Sequence, residues 1–420
     1  MQNKIYTVAI LGVGSRGADA YGKLINRASD KFNIVALCDM RQERLNRFQK
    51  EFGVEASCCF TDEDVFFQEK RADLLVIATQ DADHVRHAIK AFSLGYDVLM
   101  EKPITDKKEE CERLLEVQKQ YGCKALVCHV LRYAPAFVKV GELLKSGTIG
   151  RLVAINALER VGYFHQAHSY VRGNWRDTEK STPMILAKCC HDLDLLQYYA
   201  NSKCKSVSSV GDLTYFTKEN ALEGATERCV DCPHKNTCPY SALGYIKHWE
   251  EGGKPTDVWP FNVIAFAPVT KEKLENAITQ GNYGRCVFRC DNNAVDHQLT
   301  DITFENGVKA SLMMTAFTAF GGRRMHFFGT LGEIVLDEFA GEIQIYRFER
   351  GTEIINLKSL SEGGYDHGGG DTMLIENLYD MLCGNSTSVT SLESSVESHL
   401  IGICAEESRK ADGKLVFVHG

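Results

Sequence analysis

No run of 18 apolar residues occurs anywhere in the 420-residue sequence, so no segment reads as a membrane span. An excess of positive charge is lacking too: 48 Lys and Arg stand against 56 Asp and Glu, a net charge of −8. Nucleic-acid and anionic-membrane partners want a basic field, so neither is expected. Met1 to Lys4 run straight into an apolar, strand-like segment with no cleavable signal, which predicts a cytoplasmic protein. Internal repeats and low-complexity tracts are also missing. What remains is ordinary for a globular chain, with 44% hydrophobic and 25% charged residues. At roughly 150 residues per domain, the length allows two or three domains. Cysteine stands out in this composition, at 16. In a reducing compartment these are expected to be thiols, some buried as small hydrophobes and some available to a metal.

Residues 1–130 alternate short apolar runs with helical stretches, from a strand at Ile5–Leu11 to a last one at Lys124–His129. Leu74–Ala78 is apolar throughout, as a strand buried on both faces should be. Such alternation predicts a doubly wound parallel sheet covered by helices on both faces, a Rossmann-like domain over 1–130. From Gly150 the pattern changes to long strand-like segments, among them Leu152–Val161, Lys205–Phe216, Ala294–Phe304 and Val308–Phe317. Glu305-Asn306-Gly307 joins two of them as a hairpin, since Asn-Gly supplies the positive φ angles. Residues 131–420 therefore read as an α+β domain with a large, mostly antiparallel open sheet, its helices at Cys190–Ala200, Asp371–Leu382 and Leu392–Ser408. Residues 217–285 show little periodicity and concentrate Cys, Pro and Tyr, which predicts an insertion.

Gly12-Val13-Gly14-Ser15-Arg16-Gly17 matches G-x-G-x-x-G between a strand and a helix. Gly12 permits the tight turn, Gly14 lets the backbone approach a pyrophosphate, and Gly17 allows close helix–strand packing. The helix N-terminus offers N–H donors to phosphates, and Ser15 and Arg16 can add their own. Asp39 ends the second strand 22 residues after Gly17, where an acid accepts hydrogen bonds from the adenosine ribose. That carboxylate repels a 2′-phosphate, so NAD is expected over NADP, with Arg41 close enough to soften the preference. At the end of a later strand stands Glu101-Lys102-Pro103, on the side where open α/β sheets bind ligands.

With the segment Ala78–His84 (ATQDADH), Arg132-Tyr133 and His191-Asp192-Leu193-Asp194, these motifs resemble the glucose–fructose oxidoreductase/inositol dehydrogenase (Gfo/Idh/MocA) family over most of the chain. The resemblance implies an NAD(P)-dependent oxidoreductase acting on a secondary alcohol of a sugar, cyclitol or polyol. In that pattern Lys102 binds and polarises the reacting oxygen and His191 assists proton transfer. Thr79, His84 and Glu101 join Lys102 among the expected cofactor contacts. Asp194, one helical turn beyond His191, could orient its ring or serve only the helix start. One departure stands out: many family members carry an acid four residues before this histidine, where this chain has Ala187 followed by Lys188. Lys188 is a candidate substrate or catalytic residue, a like-charged neighbour of Lys102, or a salt-bridge partner elsewhere. An open second sheet of this kind also implies a homodimer or homotetramer.

His165 to Arg176 packs aromatic and hydrogen-bonding groups between a strand and the His191 helix, as a sugar wall requires. His165, Tyr170, Trp175 and Arg176 are its candidates, and His367, in Tyr365-Asp366-His367, is another. In the insertion, Cys229, Cys232 and Cys238 form C-x2-C-x5-C, a start toward a structural Zn site that Cys286, Cys290 or His234 could complete; buried thiols explain them equally well. Two other functions use the same residues. One is an NAD-dependent glycosidase acting by transient oxidation, elimination and re-reduction. The other is a non-catalytic NAD-binding regulator.

Overall fold

The computed structural model describes residues 4–252, 257–360, 367–386 and 389–419. Its first sheet holds six parallel strands: β1 (Tyr6–Leu11), β2 (Phe32–Cys38), β3 (Cys59–Phe60), β4 (Leu74–Ile77), β5 (Asp97–Met100) and β6 (Ala125–Val127). All four β4 side chains are fully buried, because helices cover both faces of this sheet. The order is β3-β2-β1-β4-β5-β6, so the winding reverses between β1 and β4. A crevice opens at the carboxyl ends of those two strands, with Gly12 on one side and Ala78–Thr79 on the other.

The second sheet has nine strands: β7 (Leu152–Arg160), β8 (Cys204–Asp212), β9 (His297–Phe304), β10 (Lys309–Thr315), β11 (Gly322–Gly329), β12 (Gly332–Asp337), β13 (Glu342–Arg347), β14 (Gly351–Asn356) and β15 (Val416–Phe417). Their order is β14-β13-β12-β11-β7-β10-β9-β8-β15, antiparallel at each described pairing except β7 with β10. The expected hairpin joins β9 to β10, with Gly307 at φ +92°. Alternation assigns the faces. Ile155, Ala157 and Glu159 of β7 point inward and are buried, while Asn156 points out. Helices Cys190–Ala200 and Leu392–Lys410 cover the inner face. On the outer face Val210, Leu299, Met313 and Leu158 stand side by side across four strands, the first three 50%, 47% and 42% exposed.

The structure differs from expectation in three places. The strand expected over Lys205–Phe216 stops at Asp212, because the buried Asp296 carboxylate takes the N–H groups of Thr214 (2.9 Å) and Tyr215 (2.7 Å) and turns the chain. Pro135–Lys145 is a helix that begins on a proline, a residue that tolerates the first turn because its missing N–H has no partner there anyway. The described residues of the insertion, which separates β8 from β9, form packed helices rather than an aperiodic stretch. Helices Leu243–Glu251, Phe261–Ala265 and Lys271–Gln280 enclose a small core of Tyr245, Phe261, Ile264, Leu274 and Ile278. These helices are too short to imprint a long apolar period. Thr270 caps the last of them, its Oγ1 accepting from Lys273 N–H at 3.2 Å. No described helix is long and apolar enough to cross a membrane.

Candidate active site

The glycine turn is fixed by close backbone approach. Gly12 sits at φ +90°, and a Cβ there would lie 2.4 Å from Ala78 O. A Cβ on Gly17 would lie 2.0 Å from Gly12 O. Ser15 then opens the helix that runs to Arg27. Asp39 buttresses the turn from the end of β2: Val13 N–H donates to its Oδ2 at 2.8 Å and Arg41 N–H to its Oδ1 at 2.9 Å. Its ion pair is with Arg44 at 3.2 Å, while the Arg41 guanidinium lies 4.4 Å above the Phe266 ring of the insertion. A bare helix N-terminus beside a carboxylate at the β2 end suits the diphosphate and ribose of a dinucleotide.

Four of the expected cofactor contacts have partners within the protein. Arg16 turns from the phosphate loop to Glu101 (2.8 Å) and to the buried Asp371 (2.7 Å). Glu101 also accepts from Tyr21 OH (2.6 Å) and from the Lys102 N–H (2.8 Å), so it braces the lysine corner from beneath. Burial would raise its carboxyl, yet Arg16 and Lys102 hold it below the usual range. The ring of His84, 1% exposed, faces the carbonyls of Pro103 (2.7 Å) and Thr79 (3.2 Å), tying the ends of β4 and β5 together. Thr79 itself pairs with His87 through Oγ1.

Lys102 crosses the crevice. Its ammonium donates to Ala187 O at 3.1 Å, the one protein acceptor it reaches among the described residues. Met184–Ala187 is a single helical turn, and Cys190–Ala200 follows it, so Lys102 meets the His191 region directly. His191 is buried, and its Nδ1 has no partner among the described residues. Burial pushes its pKa well below the ordinary histidine value, and Lys102 and Arg323 push it further. The His367 and His129 rings lie 6.3 and 5.9 Å from it. His367 is held by Asp371 at 2.9 Å; Tyr365 and Asp366 lie outside the described residues.

Asp194 does not orient His191. It grips Arg132 through two hydrogen bonds of 2.6 and 2.8 Å, and its nearest histidine is His129 at 3.9 Å. Asp192 pairs with Arg323 at 2.8 and 3.1 Å. Arg323 reaches on to Glu159 (2.9 Å), and Glu159 holds Lys188 at 3.2 Å. Two cations and two carboxylates thus form one buried, neutral cluster behind the site. Burial pushes the Asp192 carboxyl up and the charge of Glu159 adds to the rise, while Arg323 pulls it back down. Sequence reasoning missed Arg323 and Glu159. The signal was a glutamate on the apolar face of an alternating strand, which demands a buried cation.

Of the expected wall, His165 and Tyr170 come together, rings 5.8 Å apart, and Lys188 and Lys102 both bear on His165, whose pKa burial already lowers. Trp175 stands 6.3 Å from Tyr170, and its Nε1–H donates to Asp81 at 2.8 Å, bridging to the first sheet. Arg176 is not part of this group: it bonds Asp291 and Gly173 O on the insertion side. Cys229, Cys232 and Cys238 converge with Cys286 around one small cavity. Among the described residues no set of three or more His, Cys, Asp or Glu side chains stands in metal-holding geometry.

A parallel sheet with a glycine-rich turn at its switch point, and a strand-end lysine that reaches across to the turn before the helix bearing His191, defines a nicotinamide dinucleotide oxidoreductase. The chain belongs to the Gfo/Idh/MocA oxidoreductases: the family's NAD-binding Rossmann profile matches residues 6–129 and its C-terminal domain profile residues 137–231. A Bacillus subtilis (strain 168) protein named as the oxidoreductase YteT is 24% identical over 90% of this chain and 91% of its own length. An inositol 2-dehydrogenase of Salmonella typhimurium is 23% identical over 51% of this chain and 58% of its own length. In three dimensions, a levoglucosan dehydrogenase solved with NADH and levoglucosan superposes with a TM-score of 0.71 at 16% identity, covering 99% of this chain and all of the other.

Proposed function

We propose that this enzyme moves a hydride between a nicotinamide dinucleotide, NAD in preference to NADP, and a secondary alcohol or ketone of a sugar, cyclitol or polyol. The carrying observation is the Lys102 ammonium spanning the crevice to Ala187 O, beside a buried histidine with an unpartnered ring nitrogen. Gly12, Gly14, Ser15 and Asp39 would hold the dinucleotide, whose nicotinamide, when bound, supplies the hydride acceptor or donor. Residues 1–130 supply the main cofactor surface and Lys102, and residues 131–420 supply most of the substrate surface. Names of relatives support the substrate class, since inositol and levoglucosan are polyhydroxylated rings.

Lys102 donates to the reacting oxygen and stabilises the negative charge that grows there on oxidation. His191, kept neutral by its lowered pKa, takes the hydroxyl proton and returns it in the reverse direction. Lys188, anchored by Glu159, offers an N–H to a neighbouring hydroxyl, and His165, Tyr170 and Trp175 give the sugar an aromatic wall. The Asp39 carboxylate disfavours a 2′-phosphate. A second copy of the chain covers the outer face of the second sheet, where the Val210–Leu299–Met313 row lies open. A reducing, cytoplasmic setting fits sixteen free thiols.

The test is a panel of sugars, cyclitols, polyols and glycosides with NAD, followed at the NADH band. Lys102→Ala should lower turnover at least about a hundredfold while NAD still binds. Full activity in that variant sinks the assignment. Release of an aglycone without net NADH would replace a dehydrogenase by an NAD-dependent glycosidase.

A further inference from the structure

We propose that the insertion is a clamp on the dinucleotide: residues 258–284 roof the diphosphate and adenosine ribose, so the cofactor leaves only when this roof lifts. The inference rests on the dinucleotide reading and adds a second wall to that site. A cavity of about 300 Å³ lies directly above the glycine loop, with Gly14, Ser15 and Arg44 on one side and Asn262, Phe266 and Tyr283 on the other. Its floor is the helix N-terminus that suits a diphosphate. Its roof belongs to the insertion of the same chain.

Two features show that the roof is built for a ligand. Asn262 is 8% exposed, yet its Oδ1 finds no hydrogen-bond partner among the described residues. A buried acceptor left unpaired is costly, and an amide lining this cavity can face ribose hydroxyls with its oxygen or phosphates with its NH2. Phe266 is the second feature. Its backbone lies at φ +47°, a region that a bulky side chain rarely adopts, and its ring lies 4.4 Å from the Arg41 and 5.4 Å from the Arg44 guanidinium carbon. Backbone strain of this kind gathers at ligand clamps. Arg41 and Arg44 both flank Asp39, so Phe266 latches the insertion onto the residues beside the ribose.

The test is the release rate of NADH, read as its fluorescence decays after mixing the loaded, full-length enzyme with excess NAD. Phe266→Ala and Asn262→Ala should each release NADH about tenfold faster than the parent, because lost contacts appear mainly in dissociation. Variants with parental melting curves and parental release rates overturn the clamp and leave the dinucleotide reading standing. A parent protein that binds neither NAD nor NADH overturns both. If either variant melts early, hydrogen exchange on the parent decides: NAD should slow exchange across 258–282, and unchanged exchange there refutes the clamp.

Discussion

Glu159 and Lys188 give the sharpest test of how this chain compensates for the lysine that follows Ala187. Glu159 is fully buried, with one oxygen 3.2 Å from Lys188 and the other 2.9 Å from Arg323. Glu159→Gln preserves volume and removes one negative charge, so the buried cluster passes from neutral to a net positive charge. Breaking one partner of a buried pair costs about 3–5 kcal/mol. Asp192 still answers Arg323 with two hydrogen bonds, so the loss falls mainly on Lys188 and the lower figure, about 3 kcal/mol, is expected. Lys188→Met removes the opposite charge and should cost a similar amount. Together the two substitutions restore neutrality, and the double variant should be destabilised by about 3 kcal/mol rather than the additive 6, a coupling of about 3 kcal/mol. Urea unfolding of the four proteins, followed by circular dichroism and tryptophan fluorescence, measures it. Additivity within about 0.5 kcal/mol would refute a closed Lys188–Glu159 unit. Activity separates packing from chemistry: the double variant should be no less stable than either single variant, yet kcat/KM should stay as low as in Lys188→Met, since Lys188 is gone.

Acid should destabilise the protein through its buried histidines. Burial lowers the pKa values of His168 and His399 to about 3, while unfolded histidine titrates near 6.5, so below that pH the unfolded state binds more protons and stability falls. Each should cost about 2 kcal/mol at pH 5 relative to neutrality, and His168→Phe should remove its share in unfolding curves across pH 5–8; an unchanged slope would contradict a neutral His168. Asp39→Ser should narrow the preference for NAD over NADP by at least about tenfold in binding titrations, and an unchanged ratio would mean that Arg41 and Arg44 already neutralise the carboxylate. Leu299→Glu with Met313→Glu should shift the sedimenting species to monomer if a second copy covers the outer sheet face; a parental species that is already monomeric excludes that pairing.

Local chemistry was legible in the sequence because it depends on near neighbours. A glycine turn between strand and helix, an acid at the next strand's end and a lysine before a proline need only the βαβ register to find their places. Alternating polarity likewise announced an open second sheet and the Asn-Gly hairpin. The partners of each charge were not legible, since a side chain pairs with whatever the fold brings within about 3 Å. Arg16 therefore bonds Asp371, 355 residues away, rather than a phosphate loop at its own position, and Asp194 serves Arg132 rather than His191. The insertion marks the same divide. Its short helices gave no periodic signal, and only tertiary structure decided that Asn262 and Phe266 lie over Gly14 and Ser15. The sequence by itself determined a dinucleotide turn and a lysine–histidine pair on a two-sheet chain. The tertiary structure decided which charges neutralise one another and what closes over the cofactor site, because those depend on distances between segments far apart in the chain.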